Sequence, residues 1–385
     1  MHVLVEGSGG SSGWPQPGCR CASCLRCWTD GNIRKRSTIV VDDAWRMGGD
    51  GPERLGGDGP ERLGGDGPER MGGAWAGGLV NGYRVEAIAG GWDVTSADGE
   101  RLLYPAGPGT AADPPEGTAP YDVAFLDLLG DPAQLGRLRA RGLIRADTIT
   151  VVAFADHRVT SAAELEQRSR FWRVSVLGDG DAITTDRSAR ENGDAGIRRA
   201  PWRVLVMGGA RSGKSERAEL RLAGEPDVTY VATGPRPGGT GDPDWTARVA
   251  AHRARRPGWW RTAETTDLAG VLGSTRGAVL IDGIGTWLAA VLDECDAWDG
   301  ADGADGADGP GGKVADRAAE LVAVWRQTEA YVVAVSDETG MGVVPATAAG
   351  RLFRDRLGRL NQALAAESEE AELVIAGRVV PLGTW

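Results

Sequence analysis

RVLVMGGARSGKSERAE, residues 203–219, decides the fold of the second half of this chain. RVLVM is the kind of apolar run that makes a buried parallel strand, and SERAE begins a helical pattern. Between them, Gly208-Gly209-Ala210-Arg211-Ser212-Gly213-Lys214-Ser215 fits the phosphate-loop pattern G-x-x-x-x-G-K-[ST] at every defined position. Each residue type has a physical task there. Glycines let backbone N–H groups converge on phosphate oxygens, and the N-terminus of the helix that follows favours an anion. Lys214 would reach the outer phosphates as a catalytic cation, and the Ser215 hydroxyl would join the shell of a nucleotide-bound Mg²⁺. A second Mg²⁺ ligand is expected at the end of a neighbouring strand, where AVLID (278–282) supplies Asp282.

Strand and helix patterns alternate after this loop. VTYVATG (228–234), GAVLIDGIG (277–285), AYVVAVSDETG (330–340) and AELVIAG (371–377) read as strands. Helical spacing in DWTARVAAHRARR (244–256), VADRAAELVAVWRQ (314–327) and the stretch from Pro345 to Ser368 separates them. Such alternation predicts an α/β domain over 202–385, a P-loop fold with a doubly wound, mostly parallel sheet. A polar, Gly-containing linker at 186–201 would join it to a first domain at 1–185. Two low-complexity stretches interrupt the chain. The eight-residue repeat from Gly48 to Gly73 and the Asp-Gly tract from Asp299 to Gly312 both lack the apolar residues to build a core, and both read as loops.

Composition sets the outer limits. The chain has 385 residues, 41% hydrophobic and 25% charged, as in a soluble globular protein of two or three domains. A net charge of −11 argues against nucleic acid as a partner, while one loop and a few cations suffice to hold a small anion. No apolar run approaches the ~20 residues needed to span a bilayer. The first residues lack the basic and apolar regions of a signal peptide, so a cytoplasmic location is expected.

His252 is one of three histidines. It lies on a predicted helix among Arg248, Arg253, Arg255 and Arg256, and cations around an imidazole disfavour its protonated form. A neutral imidazole is a nucleophile. Its attack on the α-phosphate of a nucleoside triphosphate would release pyrophosphate and leave a phosphoramidate. A solvated or packed helical histidine is the plainer alternative.

GGARSGKS, YVATG, RVAAHRARRPGWWRTAE, LIDGIGTWL, VSDETGMGVVP and GRLFRDRLGRLNQALA, in that order, resemble the bifunctional adenosylcobinamide kinase/adenosylcobinamide-phosphate guanylyltransferase family of cobalamin synthesis, over about residues 202–382. The resemblance implies two steps. The hydroxyl of adenosylcobinamide is phosphorylated, and GMP then passes from GTP to that phosphate through a guanylylated histidine, the position of His252. It implies Mg²⁺ with GTP, and a homotrimer, and it leaves open whether ATP serves the kinase step as well. It places nucleotide contacts at Gly208 to Ser215, Thr233, Gly234, Arg256, Pro257, Gly258, Trp259, Glu264 and Asp282. Asp337 stands where the family pattern has Asn, and Gly283, Ile284 and Gly285 depart from it after Asp282. Those departures leave open two other readings, a kinase-only enzyme and a GTP-binding regulatory or scaffolding protein without turnover.

The first half is less explicit. VLVEGSGGSSGWPQPGCRCASC (3–24) resembles the opening of metallo-β-lactamase-fold phosphodiesterases, which implies an α/β sandwich. The His-x-His-x-Asp-His cluster of that fold is missing, so a degenerate, non-hydrolytic domain is expected. Four cysteines crowd into CRCASCLRC. Cys19, Cys21 and Cys24 are candidate ligands of a structural zinc, with His157 as a fourth, and free thiols are the alternative.

Overall fold

The structure is a computed structural model that describes residues 1–56, 61–62, 82–185, 200–235, 243–299 and 309–383. The chain divides into two units, Met1–Ile197 with Ala223–Pro226, and Arg198–Leu222 with Asp227–Trp385. Most of the linker and of the Asp-Gly tract, and much of the octapeptide repeat, lie outside the described residues.

In the first unit the elements run β1 (His2–Gly7), α1 (Ala22–Asp30), β2 (Thr38–Val41), β3 (Trp45–Gly48), β4 (Gly51–Arg54), β5 (Glu61–Arg62), β6 (Tyr83–Ile88), β7 (Gly91–Ser96), β8 (Arg101–Pro105), β9 (Val123–Leu126), α2 (Ala133–Ala140), β10 (Ile149–Val152), α3 (Ala162–Trp172) and β11 (Ala182–Thr184). They form a six-stranded antiparallel sheet, β11-β1-β2-β3-β4-β5, and a five-stranded mixed sheet, β10-β9-β8-β7-β6. Val3, Val5, Ile39 and Trp45 of one sheet share a buried apolar core with Val94, Leu102, Val123 and Val151 of the other. The repeat departs from its reading as a loop. Gly51–Arg54 pairs with β3, and Glu61–Arg62 pairs with β4. Backbone pairing asks little of the side chains, so Gly, Pro and charged residues can extend an existing sheet edge.

The second unit runs β12 (Trp202–Gly208), α4 (Lys214–Leu222), β13 (Val228–Ala232), α5 (Pro243–Arg255), β14 (Arg261–Glu264), α6 (Leu268–Ser274), β15 (Ala278–Asp282), α7 (Ile284–Glu294), α8 (Pro310–Gln327), β16 (Tyr331–Asp337), α9 (Ala348–Ala366), β17 (Glu370–Ile375) and β18 (Arg378–Leu382). Its seven-stranded sheet has the order β14-β13-β15-β16-β12-β17-β18. All pairs are parallel except β17–β18. Strand alternation explains why both faces are covered. Leu205 and Met207 pack with residues of α6 to α9, while Val204 and Val206 pack on the other face with Ala218 and Leu222 of α4. The sheet reverses direction of growth at β12. Later strands β13 to β16 build to one side of it and β17 to the other, so a crevice opens at its carboxyl end.

Candidate nucleotide site

The predicted phosphate loop sits in that crevice, between β12 and α4. Gly213 has φ 96°, a backbone conformation that suits glycine, and a Cβ on Gly208 would lie 2.5 Å from Ser212 Oγ. The loop therefore needs both glycines for its shape. Lys214 begins α4 and is buried. Its Nζ donates to the Gly209 carbonyl at 3.0 Å and lies 2.9 Å from Asp337 Oδ1. Asp337 ends β16, in register with Gly208 on the loop strand. A Cβ at Gly285 would lie 2.8 Å from Asp337 Oδ2. Two of the departures from the family pattern thus meet in space, because Gly285 leaves room for the carboxylate at 337.

Asp282 ends β15 and gathers the rest of the site. Its Oδ1 lies 3.4 Å from Ser215 Oγ. Its Oδ2 lies 3.0 Å from His252 Nδ1 and also accepts the Tyr230 hydroxyl. Burial, followed by the Asp282 charge and that hydrogen bond, pushes the Tyr230 phenol well above its ordinary pKa and keeps it a donor. Arg256 stacks on the Tyr230 ring at 3.6 Å and donates Nε–H to the His252 carbonyl at 3.2 Å. Lys214, Ser215, Tyr230, His252, Asp282 and Asp337 line one open cleft.

The arginines around His252 do not act as the sequence suggested. Arg253 pairs with Glu264 at 2.7 Å and Arg255 with Glu219 at 2.9 Å, and Arg256 is stacked on Tyr230. The charged group against the imidazole is a carboxylate. Residue spacing on one helix could not reveal partners that arrive from β14, α4 and β15. The Arg248 side chain lies outside the described residues.

Other expected contacts fall into place unevenly. Gly234 and Glu264 line the cleft. Thr233 follows β13 and donates to the Gly283 carbonyl at 2.7 Å, bracing the turn after Asp282. Pro257 and Gly258 line a neighbouring cleft with Arg256, whereas Trp259 packs against the apolar core on the α4 face. Two members of the site were missed as site residues. Tyr230 was read only as part of a strand, and Asp337 only as a substitution. In each case the informative neighbour comes from another strand.

In the first unit, ligand atoms of Cys19, Cys21, Cys24 and His157 all lie within 4.8 Å of one another. The Cys24 backbone N–H holds the Cys21 thiol below its ordinary pKa, while burial pushes the Cys24 thiol up to about 12. Cys27 stands apart, donating its thiol to the Asn32 carbonyl.

A strand, a glycine-rich loop and a helix on a parallel sheet, with a carboxylate at the end of a nearby strand, define the P-loop class. Residues 204–382 match the family described as cobinamide kinase / cobinamide phosphate guanyltransferase, and the chain belongs to that family. It is 36% identical over 189 residues to the bifunctional adenosylcobalamin biosynthesis protein CobU of Salmonella typhimurium, covering 45% of this chain and 96% of that one. It is 39% identical over 186 residues to the bifunctional adenosylcobalamin biosynthesis protein CobP of Pseudomonas aeruginosa, covering 47% and 96%. The match to CobU of Escherichia coli is 36% over 184 residues, covering 45% and 96%. Residues 1–203 lie outside the family match. Among the described residues no helix is long and apolar enough to cross a membrane.

Proposed function

We propose that the second unit phosphorylates adenosylcobinamide and then transfers GMP from GTP to adenosylcobinamide phosphate through a guanylyl-histidine at His252, giving adenosylcobinamide-GDP. The observation that carries this reading is the meeting of His252 with Asp282 in the cleft that Lys214 and Ser215 line. Attack at the γ-phosphate by the substrate hydroxyl gives the kinase step. Attack at the α-phosphate by His252 gives the nucleotidyl step. The loop's N–H groups and Lys214 would hold the triphosphate for both. Ser215 Oγ and Asp282 Oδ1 are hard oxygen donors 3.4 Å apart, a pair suited to Mg²⁺ bound with the nucleotide. When bound, that ion would neutralise phosphate charge. A cytoplasmic homotrimer using GTP completes the reading.

The test is incubation with Mg²⁺ and GTP labelled at the α-phosphate, followed by denaturation. Acid-labile, base-stable label that is absent in His252→Ala supports the reading. A protein that binds GTP and takes up no label is a kinase alone, or a GTP-binding regulator if adenosylcobinamide is not turned over either.

For the first unit we propose a degenerate metallo-β-lactamase-like domain, supported by two sheets that share one core. Three thiols and an imidazole are the donor set of a structural tetrahedral zinc, and their mutual closeness supports zinc at Cys19, Cys21, Cys24 and His157.

A further inference from the structure

We propose that Tyr230 and Asp282 are positioning residues for His252, and that they commit Nε2 of its imidazole as the atom that takes the nucleotidyl group. The inference rests on the guanylyl-histidine reading above and specifies its geometry.

The hydrogen-bond inventory leads there. An ionised carboxylate only accepts. Oδ2 of Asp282 receives the Tyr230 hydroxyl, and the same oxygen faces His252 Nδ1 at 3.0 Å. In the neutral ring Nδ1 then carries the proton and donates it, which leaves the ring's lone pair on Nε2. Tyr230 fixes which carboxylate oxygen does this work. Oδ1 is left to Ser215, so one carboxylate serves the phosphate side and the histidine side through different atoms. Arg256 ties the arrangement to the backbone of α5, because its guanidinium lies on the Tyr230 ring and its Nε–H reaches the His252 carbonyl. Ring, carboxylate and helix are held by three separate elements, β13, β15 and α5.

The electron count explains why a carboxylate belongs at Nδ1. The Nε2 lone pair forms a bond to the α-phosphorus while the bond from that phosphorus to the pyrophosphate oxygen breaks, and pyrophosphate leaves with the electron pair. The imidazole keeps its Nδ1 proton and gains positive charge. Asp282, already in contact with that N–H, stabilises the cation as it forms. In the second half-reaction a phosphate oxygen of the acceptor bonds to the same phosphorus, the P–N bond breaks, and the ring returns to its neutral, Nδ1–H form. No proton needs to leave the ring in either half.

The experiment uses the full chain with ¹⁵N-labelled histidine, Mg²⁺ and GTP. Phosphorus–nitrogen couplings in the isolated covalent adduct identify the nitrogen that bears the nucleotide. Nε2 is the expected result, and a bond to Nδ1 overturns the proposal. GTP binding without any adduct removes the guanylyl-histidine reading itself and this inference with it. Tyr230→Phe gives a second, independent measurement. The rate of adduct formation should fall about tenfold relative to the kinase rate measured on the same preparation, the order of one hydrogen bond to a charged group. A proportional loss of both activities, or no change in their ratio, shows that Tyr230 is only structural and overturns its assignment.

Discussion

At Lys214 two anions compete for one ammonium. Asp337 holds it at 2.9 Å, and a bound nucleotide would draw the same group towards its outer phosphates. Asp337 is about 40% exposed, so solvent screens the pair and its strength is modest. Asp337→Asn removes a negative charge beside the phosphate loop and keeps the side chain's shape. GTP affinity is expected to rise about threefold to fivefold at low salt, with the gain shrinking as ionic strength increases. Isothermal calorimetry at two salt concentrations checks this, and unchanged or weaker binding would show that the carboxylate does not oppose the phosphates. A second prediction belongs to the same loop. Lys214→Ala should abolish measurable kinase turnover with adenosylcobinamide while the fold, followed by circular dichroism, is retained.

Helix α4 must keep its N-terminus aimed at the phosphate site, and a buried ion network beneath it does the anchoring. Glu372 of β17 accepts from Arg217 at 2.7 and 2.9 Å and from Arg221 at 2.7 Å, and Arg221 also reaches Glu370. Burial pushes the Glu372 carboxyl up, but the Arg217 hydrogen bond and the charges of Arg221 and Arg217 outweigh it and hold the pKa below its ordinary value. A depressed folded-state pKa means that Glu372 adds stability above the ordinary carboxylate range, and that this contribution is lost as pH falls through the folded-state value. Glu372→Ala takes the shared carboxylate from between two buried guanidinium groups and should cost about 3–5 kcal/mol in urea denaturation at neutral pH. The difference from wild type should narrow as pH falls through the ordinary carboxylate range towards the lower folded-state value. A pH-independent difference would place the effect in packing. The network also marks what sequence reading reaches. The phosphate loop, the strand–helix alternation and Asp282 at a strand end were legible because each is a local pattern. The pairing of Glu372 with α4, the carboxylate at His252, the Tyr230 hydroxyl and the meeting of Gly285 with Asp337 were not, because each joins residues from separate elements.

Across the whole molecule, a metal held by the cysteine cluster would do for the first unit what the ion network does for α4, but over a longer span of chain. Cys19, Cys21 and Cys24 lie at the start of α1 or just before it, and His157 follows β10 far along the sequence. A metal held by all four would close that long loop. By analogy with a covalent cross-link, such a closure restricts the unfolded chain by about 4–5 kcal/mol. Zinc at this site would bind the folded arrangement in preference to the open chain, so its affinity would add to the stability of this unit. One zinc per chain is expected by elemental analysis of protein purified without chelator. Cys21→Ser, at an exposed position, should lose the metal and lower the unfolding temperature. His157→Ala should do the same, which separates a four-ligand site from a cluster of thiols that binds adventitiously. Cys27→Ser should keep the metal, since its thiol is engaged with the Asn32 carbonyl outside the group. If Cys21→Ser and His157→Ala retain a full equivalent of zinc, the metal lies elsewhere and the cluster is three free thiols beside an imidazole. If GTP binding persists in the metal-free variants, the metal's contribution is to the fold of the first unit and the phosphate chemistry belongs to the second alone.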